Sequence, residues 1–68
     1  MEKKIVLIEM RNKKGLTQQQ IADALGISQS AVAMWETGKT VPSINNIVSL
    51  SKLLGVSSAK LFKVFSRG

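Results

Sequence analysis

Glycine spacing constrains the fold of this chain more than any other feature of its sequence. Four of the five glycines lie at intervals along the 68 residues, at Gly15, Gly26, Gly38 and Gly55. Because glycine adopts the left-handed conformation that closes a helix at no steric cost, each of these positions is a predicted helix end. The chain is therefore predicted to fold as several short helices.

Residues that favour helix starts follow each of these glycines. The predicted N-caps carry a hydroxyl that can accept a backbone N–H, and they are Thr17, Ser28, Ser43 and Ser57. Thr17 with Gln20 also matches a capping box, and Pro42 marks a loop. Starts and stops together predict five helices, over about 3–13, 18–25, 29–37, 44–54 and 58–65.

Apolar residues recur at helical spacing along the predicted helices. The residues predicted to face the core are Leu7, Met10, Ile21, Ala22, Leu25, Val32, Trp35, Ile44, Ile47, Val48, Leu50, Leu54, Leu61, Phe62 and Phe65. The β-favouring run Ile5–Ile8 is predicted to be helical, because no turn ends it and a lone strand has nothing to pair with. The predicted fold class is all-α, with five compact helices in one domain over residues 1–68.

The side chains needed for an active site or a metal centre are nearly missing. The sequence has no histidine, cysteine or tyrosine, and its four acids are Glu2, Glu9, Asp23 and Glu36. Histidine is the commonest metal ligand and general base, and cysteine supplies disulfides and sulfur ligands. We therefore expect no enzyme activity, no catalytic residue, no metal and no cofactor.

A strong positive charge points to an anionic partner. Ten Lys and Arg against four Asp and Glu give a net charge of +6 and a pI near 10.2. A positive electrostatic potential of this strength favours nucleic acid as the partner first and an acidic membrane surface second. The simpler alternative is a basic surface that binds no partner. The four apolar residues after Met1–Lys4 are too few for a secretion signal, so a cytoplasmic chain is expected, with no membrane segment.

Residues 17–38 carry the spacing of a helix-turn-helix. Ala22 is placed where two helices would cross, and Gly26 can take the positive φ that a tight turn between them requires. Val32 is a branched apolar residue that would face back towards Ala22. The same frame also suits three-helix packing for another purpose, including protein contacts.

With these residues in place, the chain resembles the Cro/repressor-type (XRE-like) helix-turn-helix family of bacteria and their phages. The resemblance runs from Leu7 to Phe62. Its marks are Met10-Arg11, Lys14-Gly15-Leu16-Thr17-Gln18, Ile21-Ala22, Leu25-Gly26-Ile27-Ser28, Val32, Trp35-Glu36-Thr37-Gly38-Lys39, Pro42, Leu54-Gly55-Val56-Ser57 and Leu61. Ser51, at a place that is usually alanine, and Met34, at a place often polar or basic, depart from the pattern. The resemblance implies a lambda-repressor-like domain that binds double-stranded DNA.

In that family the third helix enters the major groove, and its exposed side chains touch base edges. The matching residues are Gln29, Ser30, Ala33 and Met34. Gln29 suits the paired contact to adenine, whereas Ala33 and Met34 offer apolar contact to a thymine methyl, so an A·T-containing half-site is expected. The alternatives are a polar first turn that only keeps the helix soluble and an exposed Met34 without a role.

Phosphate contacts are expected from the edges of the motif. The predicted residues are Gln18, Lys39, Thr40, Asn45, Asn46 and Arg11. Lys13 and Lys14 also suit the C-terminal dipole of the first helix, which gives them a competing local role. The cations beyond the motif are expected to be solvated surface; they are Lys52, Lys60, Lys63 and Arg67.

Arg11 and Glu36 are predicted to form a structural ion pair between the first and third helices. A carboxylate in the last turn of a helix opposes the helix dipole, so Glu36 is better placed with a cation, and the family commonly pairs it with the arginine that Arg11 matches. Trp35 lies at helical spacing from Val32 and is predicted to be a core residue rather than a base-stacking platform.

One recognition helix reads few base pairs, so a homodimer on a two-fold-symmetric operator is expected. The interface candidates are Leu53, Val56, Ser57, Val64 and Phe65, with Ile5 and Ile8 as a second possibility and core packing as the alternative for Phe65. The predicted function is a transcriptional regulator, a Cro-like repressor. Because the chain ends soon after the fifth helix, no effector-binding domain and no small-molecule effector are expected. The alternatives are a protein-interaction or antitoxin-type module and a domain excised from a longer protein.

Overall fold

A computed structural model of the chain describes residues 4–66. Its five helices are α1 (Ile5–Lys13), α2 (Gln18–Leu25), α3 (Gln29–Glu36), α4 (Ile44–Leu54) and α5 (Ser58–Phe65), and no strand occurs within this range. The all-α prediction is confirmed, and the run Ile5–Ile8 is helical. The predicted α3 is one residue too long, since Thr37 is its C-cap. The predicted α1 also starts too early, since Lys4 is its N-cap, and the first predicted residue lies outside the described residues.

Side-chain caps start four of the helices at the predicted positions. Thr17 and Gln20 form the full capping box, in which Gln20 N–H donates to Thr17 Oγ1 at 3.0 Å and Thr17 N–H donates to Gln20 Oε1 at 2.8 Å. Ser28, Ser43 and Ser57 each accept a hydrogen bond from the N–H three residues later. These local bonds satisfy N–H groups that have no partner within the helix, so they fix where each helix begins.

The start of α1 depends on α3 instead of a side-chain cap. Lys4, at the N-cap, makes no side-chain capping bond, but its N–H donates to the carbonyl oxygen of Glu36 at 2.8 Å. A backbone hydrogen bond therefore joins the first residue before α1 to the last residue of α3.

The turn between α2 and α3 depends on Gly26. This residue has φ +71°, and Ile27 N–H donates back to Ala22 O at 3.0 Å, which closes α2. A Cβ at Gly26 would meet no atom within 4 Å. The requirement for glycine therefore comes from the left-handed backbone and not from lack of space.

The core lies between all five helices. Its buried apolar side chains are Leu7, Ile21, Ala22, Val32, Trp35, Ile47, Leu50, Leu54, Leu61 and Phe65. Ala22 is fully buried, and α2 packs most extensively on α3. Met10 and Leu25 are partly buried against this core.

Three residues predicted to lie in the core are exposed, so that part of the prediction is wrong. Ile44 and Val48 of α4 are 68% and 37% exposed, and Phe62 of α5 is 42% exposed. The buried face of α4 is completed by Ser51, whose hydroxyl donates to Val48 O at 2.7 Å and lies 3.2 Å from Ser58 Oγ. The apolar face of α4 is wider than the surface that the other helices cover, so Ile44 and Val48 at its edge stay in solvent.

Each helix is short. The longest, α4, has 11 residues, and the described part of the chain contains no helix long and apolar enough to cross a membrane. Residues 4–66 likewise hold no group of three His, Cys, Asp or Glu side chains that would suit a metal ion.

Candidate nucleic-acid interface

The exposed face of α3 carries the residues predicted to touch bases. Val32, Trp35 and Glu36 turn into the protein and are at most 4% exposed. Gln29, Ser30 and Met34 are exposed, and Ala33 is half-buried. All four predicted base-contacting residues therefore lie in or beside the solvent face of α3.

Four side chains form a continuous chain of hydrogen bonds from this face into the protein. Gln29 Nε2 donates to Gln18 Oε1, and Gln18 Nε2 donates to Glu36 Oε1 at 2.8 Å. Arg11 completes it, with Nε 2.6 Å from Glu36 Oε2 and Nη2 3.2 Å from Oε1. We call these four residues the polar relay. It runs from Gln29 at the start of α3 to Gln18 at the start of α2. It then continues to Glu36 at the end of α3 and to Arg11 in α1.

The carboxylate sets the direction of every bond in the polar relay. An ionised carboxylate only accepts hydrogen bonds, so Gln18 must turn its NH₂ group towards Glu36. The Gln18 oxygen then faces Gln29, which must donate its own NH₂ group to it. Gln29 keeps its Oε1 and its second N–H for another partner, so it presents one acceptor and one donor side by side.

Arg11 is held on several sides. Besides its two bonds to Glu36, its Nη1 donates to Leu16 O at 3.0 Å and to Asn12 Oδ1 at 3.3 Å. The pair is well shielded, since the Arg11 side chain is 15% exposed and that of Glu36 is 4% exposed. The structure brings the two predicted partners together, and a single N–H on Nη2 remains for any further acceptor.

The loop after α3 folds back onto the end of that helix. The N–H groups of Lys39 and Thr40 point to Met34 O at 2.9 and 3.4 Å, and Thr37 Oγ1 donates to the same oxygen at 3.2 Å. Both Lys39 and Thr40 are exposed. The loop that carries them is therefore fixed beside the exposed face of α3. Farther along, Asn45 is exposed and Asn46 half-buried in the first turn of α4.

The predicted dimer residues are mostly engaged with the core. Phe65 is buried, and Leu53, Val56 and Val64 are partly buried against the core. Ser57 is exposed, but its hydroxyl caps α5. Of the second pair, Ile5 is exposed and Ile8 half-buried.

Sequence reasoning missed two features of this surface. The first is the hydrogen bond from Gln18 to Glu36, which joins positions 18 residues apart and has no local signal. The second is an apolar strip of Val41, Ile44 and Val48, of which Val41 is 61% exposed. We call these three residues the α4 strip. The sequence predicts Ile44 and Val48 as core residues and gives no prediction for Val41.

Two short helices that pack on one another, with a fully buried alanine in the first and a positive-φ glycine in the turn, define the chain as a helix-turn-helix protein. A helix-turn-helix family model matches residues 7–61. The chain belongs to the XRE-type helix-turn-helix family, as its resemblance implied.

Curated relatives carry the same domain within longer proteins. The chain is 40% identical over 57 residues to the prophage-derived HTH-type transcriptional regulator YonR of Bacillus subtilis, covering 84% of this chain and 53% of YonR. It is 36% identical over 55 residues to the HTH-type transcriptional activator BcrR of Enterococcus faecalis, covering 81% and 27%. It is 34% identical over 56 residues to the HTH-type transcriptional regulator PuuR of Escherichia coli, covering 82% and 30%. The chain thus spans about half or less of the length of these relatives.

Proposed function

We propose that this chain is a sequence-specific double-stranded DNA-binding transcription regulator, and that it represses by occupying promoter DNA. The observation that carries the proposal is the polar relay, which holds Gln29 in a fixed orientation on the exposed face of α3. Relatives named as transcriptional regulators support the general class. We assign the chain no catalytic step.

Gln29 is suited to adenine. Adenine offers N7 as an acceptor and N6–H as a donor in the major groove, and the free N–H and Oε1 of Gln29 match this pair. Ser30 adds weak discrimination, while Ala33 and Met34 provide apolar contact to thymine methyl groups. We therefore infer a half-site that contains A·T base pairs.

Phosphates on either side of the groove would hold the helix in register. Gln18 keeps one N–H beyond its bond to Glu36 and lies at the start of α2, where free backbone N–H groups favour an anion. Lys39 and Thr40 lie in the loop fixed beside α3. Asn45, Asn46 and the remaining N–H of Arg11 complete the proposed set, and the net charge of +6 supports it.

We infer that the chain binds as a homodimer, with the α4 strip as the main part of the interface. Apolar side chains as exposed as Ile44 are more available for a partner than the earlier candidates Leu53, Val56, Val64 and Phe65, which pack on the core. The α4 strip also directly follows the proposed phosphate-contacting loop. A dimer has two α3 helices, one for each half-site of a two-fold-symmetric operator.

Ile44→Ser is expected to weaken dimerisation without unfolding the chain, because Ile44 is 68% exposed and contributes little to the core. Sedimentation equilibrium of the free chain and binding to a two-half-site duplex measure the effect. Phe62→Ser is the control, since Phe62 is similarly apolar and exposed but lies on α5. Equal effects of both substitutions would contradict an interface at the α4 strip.

The test of the proposed function is selection of bound duplexes from a random DNA library at about 0.15 M salt. We expect enrichment of a two-fold-symmetric site with half-site centres about 10 bp apart. Log affinity should also fall steeply with log salt, because phosphate contacts release counterions. Binding without enrichment would contradict sequence-specific regulation, and no binding at all would favour the protein-interaction or antitoxin-type function.

A further inference from the structure

A lysine-rimmed cavity lies away from the candidate DNA interface. It has a volume of about 400 Å³, opens to solvent, and lies between the end of α1 and the turn from α4 to α5. Met10, Leu54 and Val56 form its apolar floor, and Lys13, Lys14 and Lys60 form its rim. It shares no residue with α2, α3 or the proposed phosphate contacts. We call it the α1–α5 cavity.

Positive charge at the α1–α5 cavity is not balanced by the protein around it. No acidic residue lines the cavity, and the ion pair between Arg11 and Glu36 is the one present within residues 4–66. Lys60 lies in the first turn of α5, which contains no acidic residue. The positive end of the helix dipole disfavours a cation there, so Lys60 adds repulsion that an anion in the cavity would relieve.

Lys14 is exposed, and the end of its side chain lies over the turn after α4. A Cβ at Gly55 would be only 3.2 Å from Lys14 Nζ and 3.3 Å from its Cε, so the end of this side chain rests on the turn after α4. Glycine at this position leaves room for it. The ammonium group therefore lies beside Gly55 in the cavity lining, where an anionic partner would contact both the charge and the apolar floor.

We propose that the α1–α5 cavity binds an acidic peptide segment of another protein, with an apolar side chain on the floor and carboxylates against the three lysines. Charge complementarity selects an anionic partner. The apolar floor favours a peptide, because a Leu or Phe side chain buried there adds to the charge contacts of its acidic neighbours. The volume of about 400 Å³ lies within the range of about 300–1,000 Å³ that is usual for ligand pockets.

The first experiment uses two synthetic peptides and the ¹⁵N-labelled full chain. The probe has six residues, two acids on each side of a central Leu-Phe pair, and the comparison peptide replaces that pair by Ala-Ala. We expect NMR shifts from the probe at Met10, Gly55 and Val56, and at least about fivefold weaker binding of the Ala-Ala peptide, since apolar burial contributes to affinity. Shifts centred on α3, equal affinity of the two peptides, or no shift at millimolar probe would overturn the proposal.

The second experiment changes charge at matched positions. Lys14→Gln combined with Lys60→Gln is expected to weaken probe binding about tenfold, from two lost charge pairs of about 0.7 kcal/mol each. Lys52→Gln combined with Lys63→Gln removes the same charge outside the cavity, and less than about twofold weakening is expected. Equal weakening in both double variants would mean that the probe responds to net charge alone, which overturns the proposal. A thermal unfolding curve for each variant establishes that it folds.

Because the α1–α5 cavity and the DNA interface share no residue, the two proposals fail separately. A chain that selects no DNA site can still bind the acidic probe, and the reverse holds as well.

Discussion

Arg11→Ala is expected to lower the midpoint of thermal unfolding by about 12 °C or more. The substitution leaves the carboxylate of Glu36, 4% exposed, without its cation, and breaking such a shielded pair on one side costs about 3–5 kcal/mol. In a domain of this size each kcal/mol shifts the midpoint by about 4–8 °C. The substitution also removes the hydrogen bond from Arg11 to Leu16 O, which joins the loop before α2 to the ion pair. Its loss is expected to lower stability further.

Calorimetry or circular dichroism of the variant measures this shift. Lys52→Ala removes one exposed positive charge outside the ion pair and is expected to change stability by less than about 0.5 kcal/mol. Arg11→Lys keeps the charge but loses the two-pronged contact, so an intermediate midpoint is expected. The pair Arg11→Ala and Glu36→Gln, measured singly and together, gives the coupling energy directly. A midpoint for Arg11→Ala equal to that of Lys52→Ala would refute a stabilising role of the ion pair.

Gln29→Ala is expected to remove the preference for adenine at one symmetric pair of operator positions. It deletes both groups that the polar relay leaves free, and a paired base contact contributes about 1–3 kcal/mol of discrimination. Two half-sites double this value, so discrimination at these positions should fall by about 30-fold or more in a dimeric complex. This prediction rests on the proposed function, and library selection repeated with the variant measures it.

Gln19→Ala is the matched control for Gln29→Ala. Gln19 is also an exposed glutamine near the start of a helix, but it bonds to Asp23 within α2 and lies outside the polar relay. The control should select the same site as the unchanged chain. A second variant, Gln18→Ala, removes the group that orients Gln29, so a broadened preference at the same positions is expected. If Gln29→Ala selected an unchanged site with unchanged strength, Gln29 would not read a base.

Helix bounds could be predicted from the sequence because caps act within a few residues. The capping box of Thr17 and Gln20 and the glycine closure at Gly26 need no tertiary context, and both lie where predicted. The width of the core could not be predicted in this way. Ile44 and Val48 have the spacing of core residues, but the position of α5 and the other helices decides which flank of α4 is covered.

The sequence predicts which residues belong to the candidate site, but it does not predict the hydrogen bonds between them. The helix-turn-helix spacing places Gln18 and Gln29 at the starts of α2 and α3, and the resemblance gives each a separate role. Their hydrogen bond to one another, and its continuation to Glu36, depend on how α2 lies across α3. Likewise, Lys14 and Lys60 are far apart in sequence, so their meeting at one cavity becomes visible only in the folded chain.

Glu36 is bound twice at α1, through its carbonyl oxygen by Lys4, the N-cap residue before the helix, and through its carboxylate by Arg11 within it. Tilting the end of α3 away from α1 would therefore break both attachments at once. We therefore expect exchange of single exposed side chains on α3 to change the base preference while the angle of α3 to α1 stays the same.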